Sequence, residues 1–206
     1  MIELVTTDGL FRLDGGEWEV TNNIWLVGDD REVIVIDAAH DAGPIVEAVH
    51  GRRVTAIALT HGHNDHINAA VALQDAVDAP ILLHPDDTML WADVYADRSP
   101  DRDLRPGDTL HAGAASLRVL HTPGHSPGGC CFVLDDEAHV FTGDTLFCGG
   151  PGATGRSFSD FGTIVDSIRR ELLTLPPETV VHTGHGDTTT IGAEAPDLEE
   201  WLRRGH

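Results

Sequence analysis

Six consecutive residues, His61-Gly62-His63-Asn64-Asp65-His66, carry four side chains of metal-ligating type. They follow an apolar run at residues 54–59 that reads as a buried strand. Imidazoles at i and i+2 in an extended turn can grip one ion, and the adjacent Asp65–His66 pair can turn toward a second. Neutral imidazole and carboxylate suit Zn²⁺, and they also suit Fe or Mn. Three more residues of this type, His125, Asp144 and His185, each follow an apolar strand in a glycine-containing loop. Open sheets present their functional loops at one strand edge, so the four loops are expected to converge on one site. The alternative, four unrelated polar loops, leaves the clustering unexplained, because imidazoles in glycine loops contribute little packing.

The rest of the chain supplies a scaffold for such an edge. Residues 32–36 read as a buried strand, 43–50 as a short helix, 54–59 as a strand, 68–77 as a helix and 80–83 as a strand, a succession of βαβ units. Strands follow at 117–120, 130–134 and 139–141, the last two paired across an acidic turn. Phe161, Ile164, Val165, Ile168 and Leu172 share one helical face, and Pro176-Pro177 ends that helix. Residues 180–181 run into His182-Thr183-Gly184-His185, and a helix at 197–203 closes the chain. Residues 100–106 are linker-like. The 206 residues read as one domain of the α/β class.

Composition narrows the partners. The formal net charge is −21, and all 13 basic residues are Arg. Without Lys, Schiff-base and P-loop lysine mechanisms are excluded. The acidic surplus disfavours nucleic acid and anionic membranes, which need a basic surface. No apolar run approaches the roughly 20 residues that span a bilayer. Met1-Ile2-Glu3-Leu4 has neither a basic start nor an apolar signal core, so a cytoplasmic location is expected. Cys130, Cys131 and Cys148 are expected to be free thiols, since neighbours on a strand face opposite ways. Cys148 is also a candidate to line the site, against the plainer reading of a small buried hydrophobe.

The segments 60–66, 122–128, Phe141-Thr142-Gly143-Asp144 and Gly184-His185 resemble the metallo-β-lactamase superfamily, and most of all its glyoxalase II (hydroxyacylglutathione hydrolase) branch. The resemblance covers about residues 20 to 190. It implies a four-layer αββα sandwich with the site between the sheets, and two divalent metals, expected to be Zn²⁺. His61, His63 and His125 would hold one ion, and Asp65, His66 and His185 the other. Asp144 would bridge them together with a hydroxide, which Asp65 helps to orient; Asp65 and Asp144 are thus the catalytic candidates. A thioester suits such a site, because a thiolate leaves readily and is a soft ligand.

Other residues have two readings. The matching Asp in the family supports the site, so Asp37 is either a support or a simple cap. His84, His121 and His182 lie near strand ends, as donors to ligands or as ordinary hydrogen-bonded histidines. His40, His50, His111, His139 and His206 read as surface or loop residues. Arg156 matches the family's Gly-Arg segment and is expected to anchor its loop by ion pairing, with substrate contact as the other reading. Trp91 and Tyr95, at i and i+4, are expected in the core rather than in a pocket wall.

The chain also departs from the branch it resembles. Glyoxalase II enzymes read glutathione through a helical C-terminal region with basic and aromatic residues, whereas here 21 residues follow His185 and none is Lys. The expectation is therefore hydrolysis of a thioester of another small thiol, such as mycothiol, which suits an Arg-only, Ala- and Gly-rich composition of GC-rich coding. Alternatives on the same fold are a persulfide dioxygenase with a single iron and a lactonase. A nucleic-acid processing enzyme or an inert metal-binding module fits the charge and the full ligand set poorly. A small-molecule substrate is expected, and the sequence is silent on oligomeric state.

Overall fold

Asp14 and Gly15 turn a long antiparallel hairpin, with φ values of 52° and 76°. A two-residue turn with both φ positive matches the twist of its strands, which is why Asp-Gly serves there. The hairpin strands are β1 (Ile2–Leu13) and β2 (Gly16–Gly28). The computed structural model describes residues 1–134 and 138–205. The expected acidic turn after Leu134, and His206, lie outside the described residues.

Strand β3 (Glu32–Ile36) pairs antiparallel with β2. Strands β4 (Arg53–Ala58), β5 (Ile81–Leu83) and β6 (Arg102–Asp103) then add in parallel, in the order β1-β2-β3-β4-β5-β6. Their crossovers carry helices α1 (Ala42–Val49), α2 (Asn64–Ile67), α3 (Ala70–Val77) and α4 (Thr88–Val94). Strand β6 falls inside the stretch expected to be a linker: backbone bonds tie Asp101 and Leu104 to Ile81 and Leu83.

The second sheet uses β7 (Thr109–Ala112), β8 (Ala115–His121), β9 (Cys130–Leu134) and β10 (His139–Gly143). A small ribbon, β11 (Leu146–Phe147) and β12 (Gly150–Pro151), follows. Helix α5 (Phe161–Ser167) continues as a π-helical turn (Ile168–Leu172), so the predicted apolar face spans two helix types. Strands β13 (Val180–Thr183) and β14 (Thr189–Thr190) and helices α6 (Ile191–Glu194) and α7 (Leu198–Arg204) end the described chain. The second sheet runs β14-β13-β10-β9-β8-β7.

Side-chain alternation explains the layering. On β3, Val33 and Val35 pack beneath α1 and α3, while Ile34 and Ile36 face the other sheet. On β9, Cys130, Phe132 and Leu134 face the first sheet, whereas Cys131 and Val133 meet α5 and α7. Strands buried on both faces read as continuous apolar runs. Three cores therefore separate four layers, and the fold is the αββα sandwich. The two cysteines face opposite ways and are free, as is the exposed Cys148. Among the described residues no helix is long and apolar enough to cross a membrane.

One irregularity aims the site. Strands β10 and β13 pair in parallel, but the register shifts between Phe141 and Gly143, leaving Thr142 as an extra residue. The buried Thr142 hydroxyl donates to the Leu146 carbonyl at 2.8 Å. This extra residue lies just upstream of Asp144.

Candidate metal centre

Strand ends of both sheets meet at one edge. Chain segments leaving β4, β8, β10 and β13 bring His61–His66, His125, Asp144 and His185 there. Asp37, just past β3, adopts a left-handed φ of 63°. Its carboxylate accepts from the Thr60 amide at 2.7 Å and the Thr60 hydroxyl at 2.9 Å, and it lies 2.8 Å from His66 Nδ1. Of its two readings, support of the site is the one the geometry matches. The short helix α2 carries Asp65 and His66 within its one turn, with His63 as the residue before it.

Four of the five rings are held from behind; the fifth, His63, meets His125 Nε2 across the site through its Nδ1 at 3.0 Å. His61 Nδ1 faces the Thr60 hydroxyl at 3.1 Å, and His66 Nδ1 faces Asp37. His125 Nδ1 donates to the Ala153 carbonyl at 2.9 Å, and His185 Nδ1 to the Thr21 carbonyl at 2.7 Å. These contacts fix ring orientation and turn the other nitrogen inward. Three donor groups result: His61, His63 and His125; His61, His66 and Asp144; and Asp65, His66 and His185, with donor atoms within 4.8 Å of one another in each. Asp144 stands between them, 3.3 Å from His66 Nε2 and 3.5 Å from both His125 Nε2 and His185 Nε2.

Divalent cations fit these residues. His61 Nε2, His63 Nε2 and Asp65 Oδ1 are buried without a hydrogen-bond partner, a cost of about 1–3 kcal/mol each if nothing takes them up. Burial opposes charge at His66, yet Asp144, Asp65 and Asp37 raise it well above the usual imidazole range. Burial likewise opposes ionisation of Asp65, but His66 and His185 hold it at about 2. In the other half, burial and the adjacent His125 take His63 down to about 3. One half thus draws positive charge through its carboxylates, and the other offers neutral imidazoles. Space is reserved as well: a Cβ on Gly184 would come within 2.3 Å of Asp144 Oδ1 and 2.8 Å of His66 Cε1.

A buried residue that the sequence reading passed over ties two of these loops together. Asp87 accepts from the Gly62 amide at 2.8 Å, the Ser126 hydroxyl at 2.7 Å and the Gly128 amide at 2.5 Å. Asn22, also passed over, is fully buried on β2 against Asp65, His66 and His185. The signal for it was available: Asn22-Asn23 is a polar pair opening an otherwise apolar strand segment.

A cavity of about 300 Å³ opens over Asp65 and Asp144, walled by Phe11, Trp18, Phe147 and Arg156. Here the expected ion pair of Arg156 is corrected. Its guanidinium lies over the Trp18 ring at 3.8 Å and near Phe11 at 5.6 Å, while the Asp14 carboxylate is taken by the Ser157 amide and hydroxyl at 3.0 and 2.6 Å. His40, expected on the surface or in a loop, lies in the loop between β3 and α1, half-buried and bonded to Asn22. His84 stacks on His121, whose Nε2 donates to the Pro127 carbonyl, and His182 packs against His139, Trp25 and Phe141. Trp91 is in the core, and the Tyr95 hydroxyl donates to the Ile67 carbonyl. Cys148 is exposed, whereas its neighbour Phe147 faces the cavity.

Known proteins resemble this chain in sequence and fold. The probable metallo-hydrolase YqgX of Bacillus subtilis is 34% identical, over 84% of this chain and 88% of its own. The hydroxyacylglutathione hydrolase GloC of Haemophilus influenzae is 32% identical, over 83% of this chain and 87% of its own. The crystal structure of TTHA1623 in a di-iron-bound form superposes with a TM-score of 0.75 at 36% identity, covering 85% of this chain and 93% of that one. The profile of the metallo-beta-lactamase superfamily matches residues 18–185, and the chain belongs to that superfamily as a metal-dependent hydrolase.

Proposed function

We propose that this chain hydrolyses thioesters of a small thiol, with two divalent ions held at the strand edge. The observation that carries this reading is the pair of donor groups meeting at Asp144 beneath an aromatic-walled cavity. His61, His63 and His125 would hold one ion and Asp65, His66 and His185 the other, with Asp144 within 3.3 to 3.5 Å of imidazoles from both groups. Zinc is the expected metal, and iron suits the same donors. Ions so held lower the pKa of water and polarise a carbonyl.

The protein's own groups do the rest. Asp144 and Asp65 accept hydrogen bonds from a reacting water and orient it. Asp37, Thr60 and the Ala153 and Thr21 carbonyls keep the imidazoles in register. Phe11, Trp18 and Phe147 bury the acyl or thiol part of the substrate and exclude bulk water. The relative named hydroxyacylglutathione hydrolase supports thioester chemistry. Glutathione itself is not the proposed thiol: Arg156 is the one Arg among the described residues lining the cavity, and a sugar thiol such as mycothiol requires no basic clamp. The substrate is a small molecule, and the charge of −21 argues against nucleic acid. Three free thiols fit a reducing, cytoplasmic setting.

Elemental analysis of the purified protein, combined with kcat/KM for glutathione, coenzyme A and mycothiol thioesters and an oxygen electrode, tests this. Two ions per chain, thioester cleavage and no oxygen uptake support it. Turnover of S-lactoylglutathione above about 10⁶ M⁻¹s⁻¹, within the range of good substrates, would overturn the thiol assignment. Oxygen consumption with a persulfide and no thioester cleavage would replace hydrolysis by the dioxygenase reading.

A further inference from the structure

Asn22 points its amide nitrogen at three donor atoms of one group. Nδ2 lies 3.2 Å from Asp65 Oδ2, 3.3 Å from His66 Nε2 and 3.5 Å from His185 Nε2. It therefore caps the triangle these atoms form, from the β2 side. The amide oxygen faces the other way, 2.8 Å from His40 Nε2.

The direction of this amide is fixed from outside the site. The backbone N–H of His40 can only donate, and it donates to Asn68 Oδ1 at 2.5 Å. That turns Asn68 Nδ2 toward His40 Nδ1, 3.2 Å away. Nδ1 must then accept, so the ring proton sits on Nε2 and is donated to Asn22 Oδ1. What remains of Asn22, its NH₂, is left to donate to Asp65. One obligatory backbone donor thus sets three side chains in sequence.

The fold makes room for this chain. His40 has a left-handed φ of 59°. A Cβ on Gly9 of β1 would fall 2.1 Å from His40 Nδ1, so no other residue at position 9 admits the ring where it stands. With Oδ2 engaged by Asn22, Asp65 cannot rotate freely, and its buried Oδ1 has no other partner.

We propose that Asn22, aligned by His40 and Asn68, is a positioning residue that presents a single oxygen of Asp65 and so sets the cation affinity of the Asp65, His66 and His185 group. This rests on reading that group as a metal site. Outer hydrogen bonds to ligating groups typically change metal affinity 10- to 100-fold.

The test is chelator competition for Zn²⁺ on the intact protein, with Asp65→Ala as the reference for losing the second ion. Asn22→Ala should weaken one of the two ions about 10- to 100-fold and leave the other within about threefold. Gly9→Ala, which touches no ligand, should do the same by displacing His40. The Asn22→Ala/His40→Ala double variant should lose no more than Asn22→Ala alone, since both act through one chain. Long-range ¹H–¹⁵N spectra should show His40 as the Nε2–H tautomer. Wild-type affinity for both ions in Asn22→Ala, additive losses in the double variant, an Nδ1–H tautomer, or equal weakening of both ions would each overturn the proposal. A wild-type chain that binds one ion, with an affinity Asp65→Ala does not change, would instead remove the two-ion reading on which it stands.

Discussion

The guanidinium carbon of Arg156 lies 3.8 Å from the centre of the Trp18 ring, on the wall of the cavity over Asp65 and Asp144. Trp18 is the one exposed tryptophan of four; Trp25, Trp91 and Trp201 are buried. Arg156→Ala should therefore raise the acrylamide-quenchable part of the fluorescence. Cation–π contacts at exposed sites contribute about 0.5–1 kcal/mol, so KM should rise two- to fivefold while kcat changes little. A large fall in kcat with unchanged KM would contradict a wall role for this pair.

Asp87→Asn should be costly although Asp87 touches no substrate. The carboxylate accepts three bonds, and burial alone raises its pKa above the usual range despite them. An amide there offers one oxygen, so at least one buried donor among Gly62, Ser126 and Gly128 goes unpaired. The expected loss is about 2 kcal/mol in urea denaturation, with lower bound-metal content, because the loops bearing His61 and His125 come apart. Unchanged stability would show that the two loops do not depend on this link.

His182 should make stability fall in mild acid. Burial, with His139 beside it, lowers its pKa to about 4 from the ordinary imidazole value of 6.5. The neutral ring's contribution is present in full above about 6.5, and it is lost as pH falls from there through about 4, because the unfolded chain takes up the proton first. The slope should not exceed the roughly 1.4 kcal/mol per pH unit of a single titrating site. His182→Gln should flatten the denaturation midpoint between pH 6.5 and 4 relative to wild type; parallel curves would exclude His182 as the source.

Gly184→Ala adds one methyl where Asp144 and His66 leave no space. Crowding of this kind costs about 1–3 kcal/mol. Metal affinity should fall at least tenfold while far-ultraviolet dichroism stays native. Crystals of the variant should show Asp144 displaced; an unmoved Asp144 with full metal content would disprove the steric account.

The ligand-type residues were legible because the chemistry requires particular side chains at particular loop positions, and the four glycine loops announce them. The α/β layers were legible from runs such as residues 32–36, where both faces are buried. The hairpin β1–β2 was not, because Leu4, Trp18 and their neighbours are exposed or half-buried and leave no clean alternation. Asp87 and His40 were opaque for another reason. Their roles are hydrogen bonds to groups 18 to 41 residues away, and no local pattern encodes such partners. Arg156 was read as an ion-pair partner because it matches the family's Gly-Arg segment, but Asp14 is engaged by Ser157 and the guanidinium lies over aromatic faces instead.

Thr142, the extra residue where β10 shifts against β13, has a consequence for how this chain can change over generations. Loops such as the one around Gly107 can lengthen or shorten with little effect on the strand edge. Removing one residue between Phe141 and Asp144 would restore even pairing along the strand and reverse the side on which Asp144 emerges. Insertions and deletions should therefore be absent from this two-residue window in working descendants of this chain, even where substitutions around it are tolerated. The spacing itself, more than the identity of any residue within it, is what inheritance has to preserve.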